Sequence, residues 1–300
     1  MRRSKVLRGV AWALGAVLVV ALLGVGYVYL ATEWMLRRQH DVPLTPIAAL
    51  TSPTTSDLAE GQRMAQIVGC WSGCHGMRGE GGKEHAPGIF SAIAPTLSDV
   101  LPRYSDAELV RLIRFGVKRD GRTALGMISG TFYPLSDAHL AQIIAHLRRQ
   151  PKSRAVPEAR SVAFLGRLAL VLGKWKTSVD EVDRSMPRWG EVARNTAFER
   201  GRYLTSITCT ECHGLDLQGE EYEKSPPMDI VKAYAPAQFR HLMRTGKPIS
   251  GRDLGIMSWT ALNGFSHFTD AEISDLHTYL LDYRKGPPTG TADLRAAGGP

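Results

Sequence analysis

The chain opens with an unbroken apolar run, and past residue 55 its apolar positions recur at helical spacing. The run from Val10 to Ala31 is 22 residues without a charge. As a helix it is about 33 Å long, against about 30 Å for the hydrocarbon core of a bilayer. Trp12 lies near one end, and Tyr27, Tyr29 and Trp34 near the other, where interfacial aromatics belong. The run predicts a transmembrane signal-anchor over 10–31, preceded by a basic segment, 1–9, and followed by a linker, 32–55. A cleaved signal peptide is the alternative; its apolar stretch is normally shorter, and no convincing A-x-A site follows.

Beyond the Pro/Thr/Ser-rich linker, Leu58, Met64, Ile67 and Val68 predict a helix capped by Ser56 or Asp57. Leu109, Leu112 and Ile113 predict a second over Asp106–Phe115, stopped by Gly116. Leu140, Ile143, Ile144 and Leu147 predict a third, opened by Ser136-Asp137 and ending before Pro151. The connector, 152–192, carries an apolar stretch, Val162–Leu172, too short and too charged for a second span. It is expected to pack across two domains; a membrane-surface role rests only on Arg160, Arg167, Lys174 and Lys176. Thr269 and Glu272 form a capping box for a last helix with Ile273, Leu276 and Leu280. A Gly/Pro-rich stretch, 286–300, predicts a flexible tail.

The pattern repeats. Tyr104–Met127 aligns without a gap with Tyr234–Met257, matching Leu112 to Leu242, Arg114 to Arg244 and Gly116 to Gly246. It also matches Gly121 to Gly251, Arg122 to Arg252 and Met127 to Met257. Glu60-Gly61 resembles Arg200-Gly201, and Leu135-Ser136-Asp137 resembles Phe268-Thr269-Asp270. The fold class expected is all-α: the N-terminal transmembrane helix, then two tandem helical domains, 56–151 and 193–285.

The net charge of +8 would suggest nucleic acid, but half of the excess sits on Arg2, Arg3, Lys5 and Arg8. No basic patch with interleaved aromatics remains to support nucleic-acid binding. Those four charges hold the N-terminus in the cytoplasm and send the rest of the chain across the membrane.

Each repeat carries one cysteine pair followed by histidine. Cys209-Thr210-Glu211-Cys212-His213 is C-x-x-C-H, the pattern of covalent c-type haem attachment. Two thiols at this spacing can bond both vinyl groups of a haem while the histidine ligates its iron. A thioredoxin-like site needs no histidine there, and a structural zinc site wants four ligands. The first motif, Cys70-Trp71-Ser72-Gly73-Cys74-His75, is one residue longer, and Gly73 eases the bulge both thioethers require. Retention of Cys-Cys-His and a downstream Met in both repeats argues for Met127 and Met257 as the second axial ligands. The rivals are His85, in a Gly-rich loop, and His139 and His146, expected on a solvated helix face; in the second repeat they are His267, then His241 and His277. Pro95, and Pro226 or Pro227, are placed to offer a carbonyl to the ligating histidine. Arg122 and Arg252 are either partners of haem propionates or exposed loop arginines.

On these motifs, the Gly-Arg-x-x-x-x-Met elements, the closing helices and the connector around Leu165-Gly166-Arg167-Leu168, the chain resembles the membrane-anchored dihaem class I c-type cytochromes over roughly 57–285. The resemblance implies two cytochrome c-like domains, two haem c groups, His/Met ligation and electron transfer. The long first motif departs from it. The reading is a tethered carrier in the bacterial inner membrane with its domains in the periplasm. Its partners would be redox proteins: a dehydrogenase, quinol oxidoreductase or oxidase. The alternatives are a dihaem enzyme (peroxidase or thiol/sulfur dehydrogenase) and a cytochrome subunit of a larger complex.

Overall fold

A computed structural model of the chain describes residues 2–47, 52–70, 75–153, 159–220 and 224–283. Cys74 and the 286–300 tail lie outside the described residues. The chain is mostly helical, with an apolar helix at its N-terminus.

Helix α1 (Arg2–Arg37) continues six residues past the expected end at Ala31. Nothing in Thr32–Arg37 breaks a helix, and Glu33 pairs with Arg37 one turn on, at 2.8 Å. By length and composition α1 can cross a membrane, and its apolar stretch is almost wholly uncovered by the rest of the chain.

The first helical group comprises α2 (Thr55–Ile67), α3 (Asp106–Phe115) and α4 (Asp137–Leu147). Thr54 caps α2, in place of Ser56 or Asp57. Its hydroxyl accepts from the Asp57 amide while the Asp57 carboxylate accepts from the Thr54 amide, so Asp57 closes the capping box from inside the helix. Ser105 and Glu108 do the same for α3, which ends at left-handed Gly116 (φ 66°). After α5 (Phe164–Val171) comes the second group: α6 (Ala197–Ser206), α7 (Pro236–Thr245), α8 (Ile256–Asn263) and α9 (Asp270–Asp282). The Thr269/Glu272 box opens α9 as expected.

In each group the first helix packs on the last, α2 on α4 and α6 on α9. A glycine makes both approaches possible. A Cβ on Gly61 would lie 2.1 Å from the Gln142 carbonyl oxygen, and one on Gly201 would lie 2.0 Å from that of Asp275. The repeated arginine fastens the ends of the middle helices. Arg114 donates to the Leu135 carbonyl and pairs with Asp137 at 2.6 Å; Arg244 donates to the Ser266 carbonyl and pairs with Asp270 at 2.7 Å.

The two groups share one continuous core, running from Met64 and Leu140 through Trp189 to Ile207 and Leu276. Their contact is reciprocal. Arg63, two residues after Gly61, reaches the start of α9 and pairs with Glu272 at 2.7 Å. Tyr203, two residues after Gly201, reaches the start of α4, where its hydroxyl meets the Ser136 amide and, at 2.7 Å, His139 Nδ1. His139 is therefore half-buried between the groups, not on a solvated face, because its outward direction on α4 is covered by α6. His146 is likewise half-buried, next to Gln150.

Two further expectations are corrected. A three-stranded antiparallel sheet interrupts the helical pattern: β1 (Gly82–Ala86), β2 (Phe90–Ala94) and β3 (Ala159–Val162). The Gly-rich loop holding His85 is thus a hairpin strand, and the hairpin supplies the extra length between motif and Tyr104 in the first repeat. The connector does not bridge the two groups with its apolar stretch. Its β3 pairs with β2, and α5 packs on α1, since Arg167 finds its carboxylate there at Glu33, 2.9 Å away.

Candidate functional site

Both motifs begin where a helix ends against the shared core. Cys70 follows α2, and Cys209 follows α6, with Thr210–His213 forming a single helical turn. Burial pushes the Cys70 thiol up to about 12 and the Cys209 thiol up to about 11. Sulfurs held uncharged are poor thiolate ligands and poor redox nucleophiles. They suit a thioether, which carries no charge.

The histidines that follow are held by one device, built twice. Gly76 and Gly214, immediately after them, both have φ 78°, which turns the chain back sharply. The amide six residues on, of Gly81 or Gly219, donates to the histidine carbonyl at 2.9 Å. Leu97 donates to the Gly79 carbonyl and Met228 to the Leu217 carbonyl, fastening the proline-bearing segment across the loop. The result sets Nδ1 of His75 3.0 Å from the Pro95 carbonyl and Nδ1 of His213 2.8 Å from that of Pro226. A carbonyl only accepts, so each Nδ1 carries the proton and each Nε2 keeps its lone pair. Burial lowers both histidine pKa values, and the proline carbonyls only partly oppose it, which favours the neutral ring. The expected partner in the second repeat is Pro226, not Pro227; the seven-residue difference in His–Pro spacing follows from the hairpin present in the first loop alone.

Met127 and Met257 are half-buried and pack against the same core as Cys70 and Cys209. Of the rivals in the second repeat, His241 and His267 are exposed, and His277 is buried with Nε2 on the Tyr234 carbonyl at 3.0 Å; the His85 side chain lies outside the described residues. Arg122 and Arg252 are exposed loop residues, with Asp120 3.8 Å from Arg122. Among the described residues no three or more His, Cys, Asp or Glu gather around a point that would hold an ion. A haem iron would ask for only one side chain from each face, so such a cluster is not what it would need.

Sequence reasoning missed Ser178. It is fully buried, accepts from the Met127 amide at 3.2 Å, and donates its own amide to the Ala124 carbonyl. It fills the space beside left-handed Gly116, where a Cβ would lie 2.5 Å from it. In the second repeat Ser258 fills the same place beside Gly246, accepting from the Leu254 amide and donating to the Gly246 carbonyl. One loop is thus completed from within and the other by the connector; comparison of the repeats would find Ser258 but not its distant stand-in. Ser178→Ala is expected to cost about 1–3 kcal/mol by leaving a buried amide unpaired. Denaturant unfolding of the full chain in detergent measures it.

The sites lie near each other's supports. The Ser129–Phe132 turn, just past Met127, packs on Thr210–His213, and the Phe265–His267 turn packs on α2. Glu181 sits at the first of these contacts, against Gly130; burial and the Glu211 carboxylate push its pKa up to about 8.

No protein-family model matches the chain. It is similar to one of the subunits of nicotinate dehydrogenase from Pseudomonas putida. The two are 26% identical over 224 residues, which cover 70% of this chain and 18% of that protein. The chain therefore spans less than a fifth of that relative's length.

Proposed function

We propose that the chain is a membrane-tethered dihaem cytochrome c that passes electrons between a dehydrogenase or other redox donor and an acceptor. The observation that carries this reading is the duplicated histidine loop. Directly after each cysteine pair stands an imidazole with Nδ1 tied to a proline carbonyl and Nε2 left for a metal. In this reading Cys70 and Cys74 hold one haem c and Cys209 and Cys212 a second. His75 with Met127, and His213 with Met257, ligate the irons, each of which supplies a one-electron couple when bound. The chain's own task is to orient the imidazoles, keep them neutral and exclude water, and the methionine thioethers raise the potential relative to a second histidine. Positive charge at the N-terminus supports a periplasmic location of the domains, the compartment of covalent haem attachment. The likeness to part of a dehydrogenase favours a role inside a larger dehydrogenase assembly over that of a freely exchanging carrier.

The test is spectroscopic. Met127→Ala and Met257→Ala are each expected to convert one of two low-spin haems to high spin, and Met→His at either position to lower one midpoint potential. If both alanine variants keep the parent spectrum, the ligand assignment is wrong. A high-spin haem already present in the parent chain would favour the enzyme alternative.

A further inference from the structure

We infer that α5 is a second membrane contact, lying in the lipid interface beside the exit of α1 and holding the first helical group against the bilayer. This rests on the reading of α1 as a membrane-spanning helix. Among the described residues of α1 the buried positions are Val28, Thr32 and Leu36, a stripe at four-residue spacing at its C-terminal end. There the Thr32 hydroxyl reaches the Arg167 carbonyl, Tyr29 stacks on Phe164 at 6.4 Å, and Arg167 lies over Tyr29 while pairing with Glu33. Tyr29 is two residues, about 3 Å, inside the end of the uncharged run. The start of α5 is thereby fixed at the edge of the hydrocarbon.

What α5 shows to solvent fits that depth. Phe164, Leu165 and Leu172 are 38%, 58% and 63% exposed, while Leu170 is buried against the rest of the chain. Exposed Arg160, Lys174 and Lys176 flank the apolar face. An apolar face with basic residues at its margins is the composition of a helix lying in the headgroup region. The occupant is lipid, because the patch is continuous with the exposed apolar surface of α1.

The full chain in vesicles of phosphatidylethanolamine and phosphatidylglycerol, with a phospholipid carrying a diazirine in its acyl chain, tests this by photolabelling and peptide mapping. Labelling is expected on α1 and on the 164–172 peptide, with α9 as the unlabelled reference. In a Leu165→Glu/Leu172→Glu variant, labelling of 164–172 should fall to the α9 level while α1 stays labelled. Label on α1 with 164–172 at the α9 level overturns the inference alone, as does labelling of 164–172 that the variant leaves unchanged. Absence of label from α1 overturns the spanning reading as well.

Discussion

Replacing Cys209 and Cys212 together by serine is expected to yield a chain with one covalent haem instead of two, read directly by mass spectrometry. The thiols are the attachment points in the proposed chemistry, and serine cannot form the thioether. Cys209 borders the shared core, so its serine hydroxyl also meets an apolar setting, at about 1–3 kcal/mol if unpaired. The comparison with Cys70→Ser is informative in its own right. The first motif has three residues between its cysteines, and loss of one thioether there should leave the haem bound through Cys74. A parent chain that carries no covalent haem at all would remove the cytochrome reading.

The second large effect is expected at the helix crossings. Gly201→Ala places a methyl group where the would-be Cβ is 2.0 Å from the Asp275 carbonyl oxygen, and Gly61→Ala does so 2.1 Å from that of Gln142. Neither obstacle is a flexible side chain; both are backbone of the partner helix, so α6 must part from α9 and α2 from α4. Overpacking of this kind costs about 1–3 kcal/mol, and more where backbone has to shift. Alanine's better helix propensity returns only about 1 kcal/mol. Each variant should therefore unfold at markedly lower denaturant, and Gly15→Ala, with nothing within 4 Å of its added Cβ, should not. Because the two groups share a core, a defect at either crossing is expected to lower the stability of both.

Much of the helical scaffold is legible in the chain. Asp106–Phe115 is bounded correctly because both of its signals are local: the Ser105/Glu108 box at one end and Gly116 at the other. The start of α2 differs by a residue or two because Thr54, Ser56 and Asp57 are all competent caps, and only the geometry shows which oxygen accepts. The sheet escapes a reading of the sequence because β1 is a short polar strand, Gly-Lys-Glu-His-Ala, with no apolar alternation to mark it. Its pairing with β2, and that of β2 with the distant β3, supplies what its own sequence does not.

The sequence by itself determined the parts whose physics is local. These are an apolar run long enough to cross a bilayer, amphipathic helices with their caps, and two cysteine–histidine motifs in register with two methionines. The tertiary structure decided what depends on residues far apart in the chain. It chose Pro226 as the partner of His213, brought Ser178 across 51 residues to the Met127 amide, and turned His139 toward Tyr203. It also laid α5 against α1, 134 residues from Arg167 to Glu33. Hydrogen bonds and ion pairs of this kind join side chains that share no periodicity. Their geometry exists only once the helices have packed, and no spacing along the chain encodes it.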